Sequence, residues 1–256
     1  MDKKNNTMNA ENIVALQEHF RGVDMVTLDN IKSYLGKNNT FITDVTLRKA
    51  IYKLKQKGLI ISIKRGVYSF KSKTVFLPSP DKNMFKIYDL FKEKYPLISC
   101  CIWSTQWLHQ FMNLQPFQYI YVFETEKNLL EPTFFLFKEN NINAFLKPDQ
   151  NLAEKYMAES QEPVVVKLIT TRSTVIRSGK MDMASIEKIL VDVFCDLDIF
   201  FFYQGNELRN IYNNVFRSFH INYSKLLNYA ERRKQKEKIV HYLKTQIEYA
   251  NKELIA

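Results

Sequence analysis

Glycine is scarce in this chain, six in 256 residues. No glycine-rich phosphate loop can be drawn from so few, which argues against dinucleotide and P-loop chemistry. Cysteine is scarcer: Cys100, Cys101 and Cys195, odd in number, two of them adjacent and none at zinc spacing. Reduced thiols are expected. The four histidines, His19, His109, His220 and His241, are scattered and none pairs at metal-ligand spacing. There is no run of eighteen apolar residues, so no membrane-spanning helix is expected. The opening MDKKNNTMNAEN is polar and lacks the apolar core of a secretory signal. These absences point to a cytoplasmic protein with no membrane partner, no metal and no cofactor.

What the chain does have is basic charge, unevenly placed. The net charge is +10. Residues 1–80 carry 14 Lys/Arg against 6 Asp/Glu, whereas residues 81–256 carry 23 against 21. A basic first third on a nearly neutral remainder reads as a nucleic-acid module joined to a domain with another task.

The basic third is organised around Thr43 to Phe70, TDVTLRKAIYKLKQKGLIISIKRGVYSF. Leu47, Ile51 and Leu54, with Ala50 beside them, make one apolar stripe at helical period. Val45, Arg48, Lys49, Tyr52, Lys53 and Gln56 fall on the opposite side. Thr43 or Asp44 suits the helix start, and Gly58 suits its end. Leu59–Ile63 and Val67–Phe70 read as two strands around the basic turn Lys64-Arg65-Gly66. Upstream, short helices are expected at Asn12–Phe20 and, capped by Thr27, at Leu28–Leu35, with Gly36 ending the second and Lys37–Thr40 forming a turn. The pattern predicts a winged helix-turn-helix over residues 1–76. Thr43, Asp44, Thr46, Arg48, Lys49, Tyr52 and Lys53 would face the groove of double-stranded DNA. Lys64 and Arg65 would reach the flanking backbone.

Val75–Pro80, with two prolines around a serine, marks a boundary. Residues 81–256 read as a mixed α/β domain ending in helices, so the whole chain falls in the α+β class. Helices are expected at Met84–Lys92 and Thr105–Met112, the latter capped by Ser104. Strands are expected at Leu97–Trp103, Tyr119–Phe123, Thr133–Phe137, Val164–Leu168 and Ser173–Ile176. Beyond Ala184 the chain reads as helical, including one helix from Ser224 to about His241.

No catalytic constellation stands out. Glu124, Glu126 and Lys127 follow a strand, and two carboxylates with a lysine there could hold Mg²⁺ and orient a water. A Mg²⁺-dependent nuclease is therefore an alternative, with Asp89 or Glu93 as loose third acids. Asp192, Asp196 and Asp198 form a second acidic group, in which Asp192 on the preceding helix and Asp196 near its end are read as terminating that helix. A ligand-sensing regulator is a further alternative.

The wing, with Gly66-Val67-Tyr68, resembles the N-terminal winged helix of AbiEi-type antitoxins, the regulatory partners in type IV toxin–antitoxin systems. Cys100–Gln110, Gln115-Pro116 and Tyr119–Phe123 are similar to the central part of that family. Glu187, Lys188, Leu190 and Asp192 resemble its E-K-x-L-x-D helix. Leu226, Tyr229, Ala230 and Arg232 resemble its closing helix. The resemblance implies a non-enzymatic autoregulator that binds inverted repeats at its own promoter. It also implies an antitoxin that counters a nucleotidyltransferase-like toxin without a stable complex.

Overall fold

The computed structural model describes residues 10–23, 25–37, 43–70, 74–157 and 160–255. The chain divides into two compact units. The first holds the chain to Val75 together with His220–Ser224. The second holds Phe76–Phe219 and Lys225–Ala256. Among the described residues, no helix is long and apolar enough to cross a membrane.

Among the described residues, the first unit has three helices and a small sheet: α1 (Ala10–His19), β1 (Val26–Thr27), α2 (Leu28–Lys37), α3 (Asp44–Gln56), β2 (Ile61–Lys64) and β3 (Val67–Ser69). The sheet order is β1-β3-β2, antiparallel throughout. Thr27 and Asn30 cap α2 reciprocally: the Asn30 N–H donates to Thr27 Oγ1 at 3.1 Å, and the Thr27 N–H to Asn30 Oδ1 at 2.9 Å. The helix runs through Gly36 to Lys37 rather than stopping at Gly36. The expected turn over Lys37–Thr40 falls, past Lys37, outside the described residues. Leu47, Ile51 and Leu54 from α3 close the core with Leu16, Val26, Ile31, Leu35, Ile60 and Tyr68. Gly58 (φ 68°) and Gly66 (φ 77°) turn the chain in the left-handed region, after α3 and at the hairpin tip.

The second unit is built on a six-stranded mixed sheet. Its elements are α4 (Lys82–Lys94), β4 (Cys100–Ser104), α5 (Gln106–His109), β5 (Tyr121–Thr125), α6 (Leu130–Glu139), β6 (Ala144–Leu146), α7 (Gln150–Leu152), β7 (Val164–Leu168), β8 (Val175–Ser178), β9 (Met181–Ala184), α8 (Ile186–Cys195), α9 (Asn206–Ser218), α10 (Tyr223–Arg232) and α11 (Lys236–Gln246). The first two residues of α10 lie in the segment that groups with the first unit. Sheet order is β6-β7-β5-β4-β9-β8. β6, β7 and β5 run parallel, β4 runs antiparallel to β5, and β9 runs parallel to β4. Alternation along β4 and β5 divides their side chains between two faces. Phe123 packs on Phe91 of α4 and Phe137 of α6 at ring distances of 4.9 and 5.1 Å. On the other face, Trp103 packs on Phe200 at 5.4 Å, and Glu124 meets α8.

Two expectations are corrected here. Thr133–Phe137 is part of helix α6, not a strand. Leu130, Thr133, Leu136 and Phe137 are buried at i, i+3, i+6 and i+7, and that stripe overrides the β-preference of the aromatic run. The helix expected from Ser224 to His241 is two helices. It breaks between Arg232 and Lys236, where Lys234 takes φ 56°.

Candidate functional site

In the first unit, α3 separates its two sides cleanly. Leu47, Ala50, Ile51 and Leu54 are buried, while Val45, Arg48, Lys49, Tyr52, Lys53 and Gln56 are exposed. The exposed set recurs at i, i+3, i+4, i+7, i+8 and i+11, so it forms one stripe. Tyr52 and Val45 are each 63% exposed, two large apolar side chains among the arginine, lysines and glutamine of this face. Thr43 caps the helix, its Oγ1 accepting from the Thr46 N–H at 3.3 Å, and the two hydroxyls lie 3.0 Å apart. Asp44 pairs with Lys32 of α2 at 2.8 Å. That hydrogen bond and charge hold the Asp44 carboxyl below its ordinary range. The one acid of the stripe's leading turn is thereby neutralised locally, which lowers its repulsion toward an approaching polyanion.

The hairpin presents Arg65 exposed and Lys64 half-buried at its tip. The Arg65 backbone N–H donates to Ser224 Oγ at 3.0 Å, and Asn222 Nδ2 donates to Ser62 O at 2.9 Å. The returning segment His220–Ser224 thus ties down the hairpin backbone while the Arg65 side chain stays in solvent. Lys55 lies over the Tyr68 ring at 5.3 Å, fastening α3 to β3.

The second unit assembles a different kind of charge. Lys188 and Asp192 stand one turn apart on α8, both fully buried. Lys188 Nζ donates to Glu124 Oε1 of β5 at 2.6 Å, to Asp192, and to Tyr229 Oη of α10 at 3.0 Å. Tyr229 in turn donates to Asp192 Oδ1 at 2.8 Å. Arg233 bonds Asp192 and reaches Asp196 at 2.6 Å. Lys167 of β7 bonds Asp196 and lies 3.7 Å from Asp192 and 3.9 Å from Glu124. Three acids meet three bases, in the low-dielectric gap between the sheet and α8 and α10.

The ionisation of the group follows from burial set against these partners. Burial favours the neutral form of Asp192, but Lys167, Lys188 and Arg233 outweigh it and hold the carboxyl well below its usual range. Burial also works against Lys188⁺, and Asp192 and Glu124 outweigh that, leaving it well above its ordinary value. For Glu124 burial wins over Lys188 and the pKa rises. Its second oxygen, Oε2, is buried with no hydrogen-bond partner.

This geometry redistributes the candidate chemistry. Glu124 lies inside β5 and is fully buried on Lys188, whereas Glu126 and Lys127 beyond the strand are exposed. The three do not form one site. Among the described residues no group of His, Cys, Asp and Glu is placed to hold a metal ion. Asp89 lies on α4 and is exposed. Asp196 caps the end of α8 as expected but also joins the network, and Asp198 is exposed outside it. The E-K-x-L-x-D and L-x-x-Y-A stretches meet through Lys188, Asp192 and Tyr229. The arginine that joins them is Arg233, while Arg232 is exposed. Lys167 and Arg233 belong to no motif in the sequence. An isolated lysine closing a strand and one arginine in a basic run carry no local signal.

Also in the second unit, a cavity of about 480 Å³ opens beside the loop before β5.

An α+β protein with an exposed basic helix in one unit and a buried charge network in the other is thereby defined. Residues 46–249 match the family of unknown function DUF6577, and the chain belongs to that family. No curated protein matches it.

Proposed function

We propose that the first unit is a winged helix-turn-helix and that the protein is a DNA-binding transcriptional regulator. The observation that carries this reading is the exposed stripe of α3: Arg48, Lys49, Tyr52 and Lys53 stand in solvent on a helix whose other side is locked in the core. A helix so fixed can enter a major groove without rearranging, and its arginine and lysines can meet base edges and phosphates. Thr43, Asp44 and Thr46 lie at its leading end. Lys64 and Arg65 on the hairpin contact the flanking backbone. The excess of basic charge in residues 1–80 supplies the long-range attraction.

The resemblance to AbiEi-type antitoxins extends the proposal. The protein is a cytoplasmic, non-enzymatic autoregulator that binds inverted repeats at its own promoter and counters a nucleotidyltransferase-like toxin without a stable complex.

Fluorescence anisotropy on the DNA upstream of the protein's own gene tests the regulatory half, with a shuffled duplex as control. A sequence-specific regulator binds the upstream DNA more than about a hundredfold tighter. Equal weak binding to both would reduce the stripe to a generic basic surface. Co-expression with the neighbouring gene product tests the antitoxin half, which fails if growth arrest is not relieved.

A further inference from the structure

The cavity in the second unit is chemically one-sided. Phe117, Phe201, Phe202 and Tyr203 line it, together with aliphatic side chains. Among the described residues its lining includes one carboxylate, Glu207, and no lysine, arginine or histidine. In a chain of net charge +10, a pocket whose described lining holds one acid and no basic group is a selective environment. We propose that this cavity binds a lipophilic organic cation of the quaternary ammonium or arylphosphonium type. The proposal stands on the second unit alone and goes beyond the DNA-binding reading.

Three features carry it. Aromatic faces attract a cation through their quadrupole, most strongly where water is excluded, and they do not attract an anion. Glu207 supplies the counter-charge. It lies in the first turn of α9 and accepts the backbone N–H groups of Asn113 at 2.9 Å and Leu114 at 3.2 Å, with Asn210 Nδ2 at 3.3 Å. These neutral donors fix the carboxylate without cancelling its charge, and among the described residues no lysine or arginine forms an ion pair with it. Size is the third feature. The volume falls in the range of small-molecule sites. Leu114 and Phe117 on its lining are highly exposed apolar side chains, surface that an apolar occupant would cover.

Calorimetric titration of the full-length protein with tetraphenylphosphonium tests the proposal. Tetraphenylborate, of the same shape and opposite charge, is the control. The cation is expected to bind at least about tenfold tighter than the anion, against the overall positive charge of the protein. Glu207→Gln is expected to lower cation affinity about tenfold. Phe117→Ala, at an exposed ring, is expected to weaken it several-fold with the fold intact by circular dichroism. Anion binding as tight as cation binding would overturn the proposal. So would cation affinity unchanged in both variants, or no saturable cation binding by folded protein.

Discussion

The two units use charge in opposite ways. In the first, Arg48, Lys49 and Lys53 stand exposed on one side of α3, and Arg65 stands exposed at a hairpin tip where Lys64 is half-buried. In the second, Lys188, Asp192 and Glu124 are stripped of water and paired with one another, with one Glu124 oxygen left unpartnered. Exposed charge adds little to folding, because water screens it. Buried charge is stable only when every partner is present. Substitutions in the first set should therefore change binding and leave the fold alone, while substitutions in the second should do the reverse.

The largest effect is expected at Lys188. Lys188→Ala leaves two buried carboxylates without their shared cation and should cost about 3–5 kcal/mol of unfolding free energy in urea. Lys188→Met combined with Asp192→Leu should recover part of that loss, because the uncompensated charge is removed with its partner. No recovery would mean that the network is less coupled than its geometry requires.

Arg48→Ala comes next. It should cost about 1–3 kcal/mol in DNA affinity if Arg48 reads a guanine edge, with the unfolding midpoint unchanged. A drop in midpoint without a drop in affinity would move Arg48 to the folding side of the comparison.

The pH dependence of stability separates two members of the buried network. Asp192 has a folded pKa below its unfolded value near 4, so its contribution is present above that pH and is lost as pH falls. Glu124 is shifted upward by burial, so its contribution is present below its unfolded pKa, also near 4, and is lost as pH rises. The two oppose each other in acid. Glu124→Gln removes the opposing member, and its stability should fall more steeply than wild type as the pH is lowered from neutral into acid. A shallower fall would reverse the assignment.

Lys64→Ala should weaken binding to specific and shuffled duplexes alike and lower the salt slope by about 0.9, one phosphate contact. The smallest effect is expected at Lys32. Its pair with Asp44 is exposed on both sides, and Lys32→Ala should leave the unfolding midpoint within experimental scatter.

Much of this contrast was legible in the sequence where the signal is local. The apolar stripe of α3, the Thr43 cap, Gly58 and the Lys64–Val67 turn all lie within 28 residues, and the structure places each of them as their chemistry demands. The buried network was not legible. Glu124 and Lys188 are 64 residues apart, and Lys188 and Tyr229 are 41 apart. In the sequence Glu124 stands beside Glu126 and Lys127, whereas β5 turns it toward α8. The Lys188–Asp192 spacing of one helical turn was visible, but burial of a charged pair is set by what packs over it. The same limit explains α6. Phe134, Phe135 and Phe137 favour a strand locally, and only packing against β5 and β6 reveals a helix.

The most direct test of the opposed use of charge is the salt dependence of binding to the upstream duplex. Wild type should be compared with a variant in which Arg48, Lys49, Lys53, Lys64 and Arg65 are all replaced by Gln. The logarithmic salt slope should shrink by about 0.9 for each lost phosphate contact, roughly three to four units with Arg48 on a base edge and the other four on phosphate. The urea midpoint of the variant should stay at the wild-type value. An unchanged slope in the folded variant would contradict the account, because the exposed charges of α3 and the hairpin would then not be the surface that meets DNA.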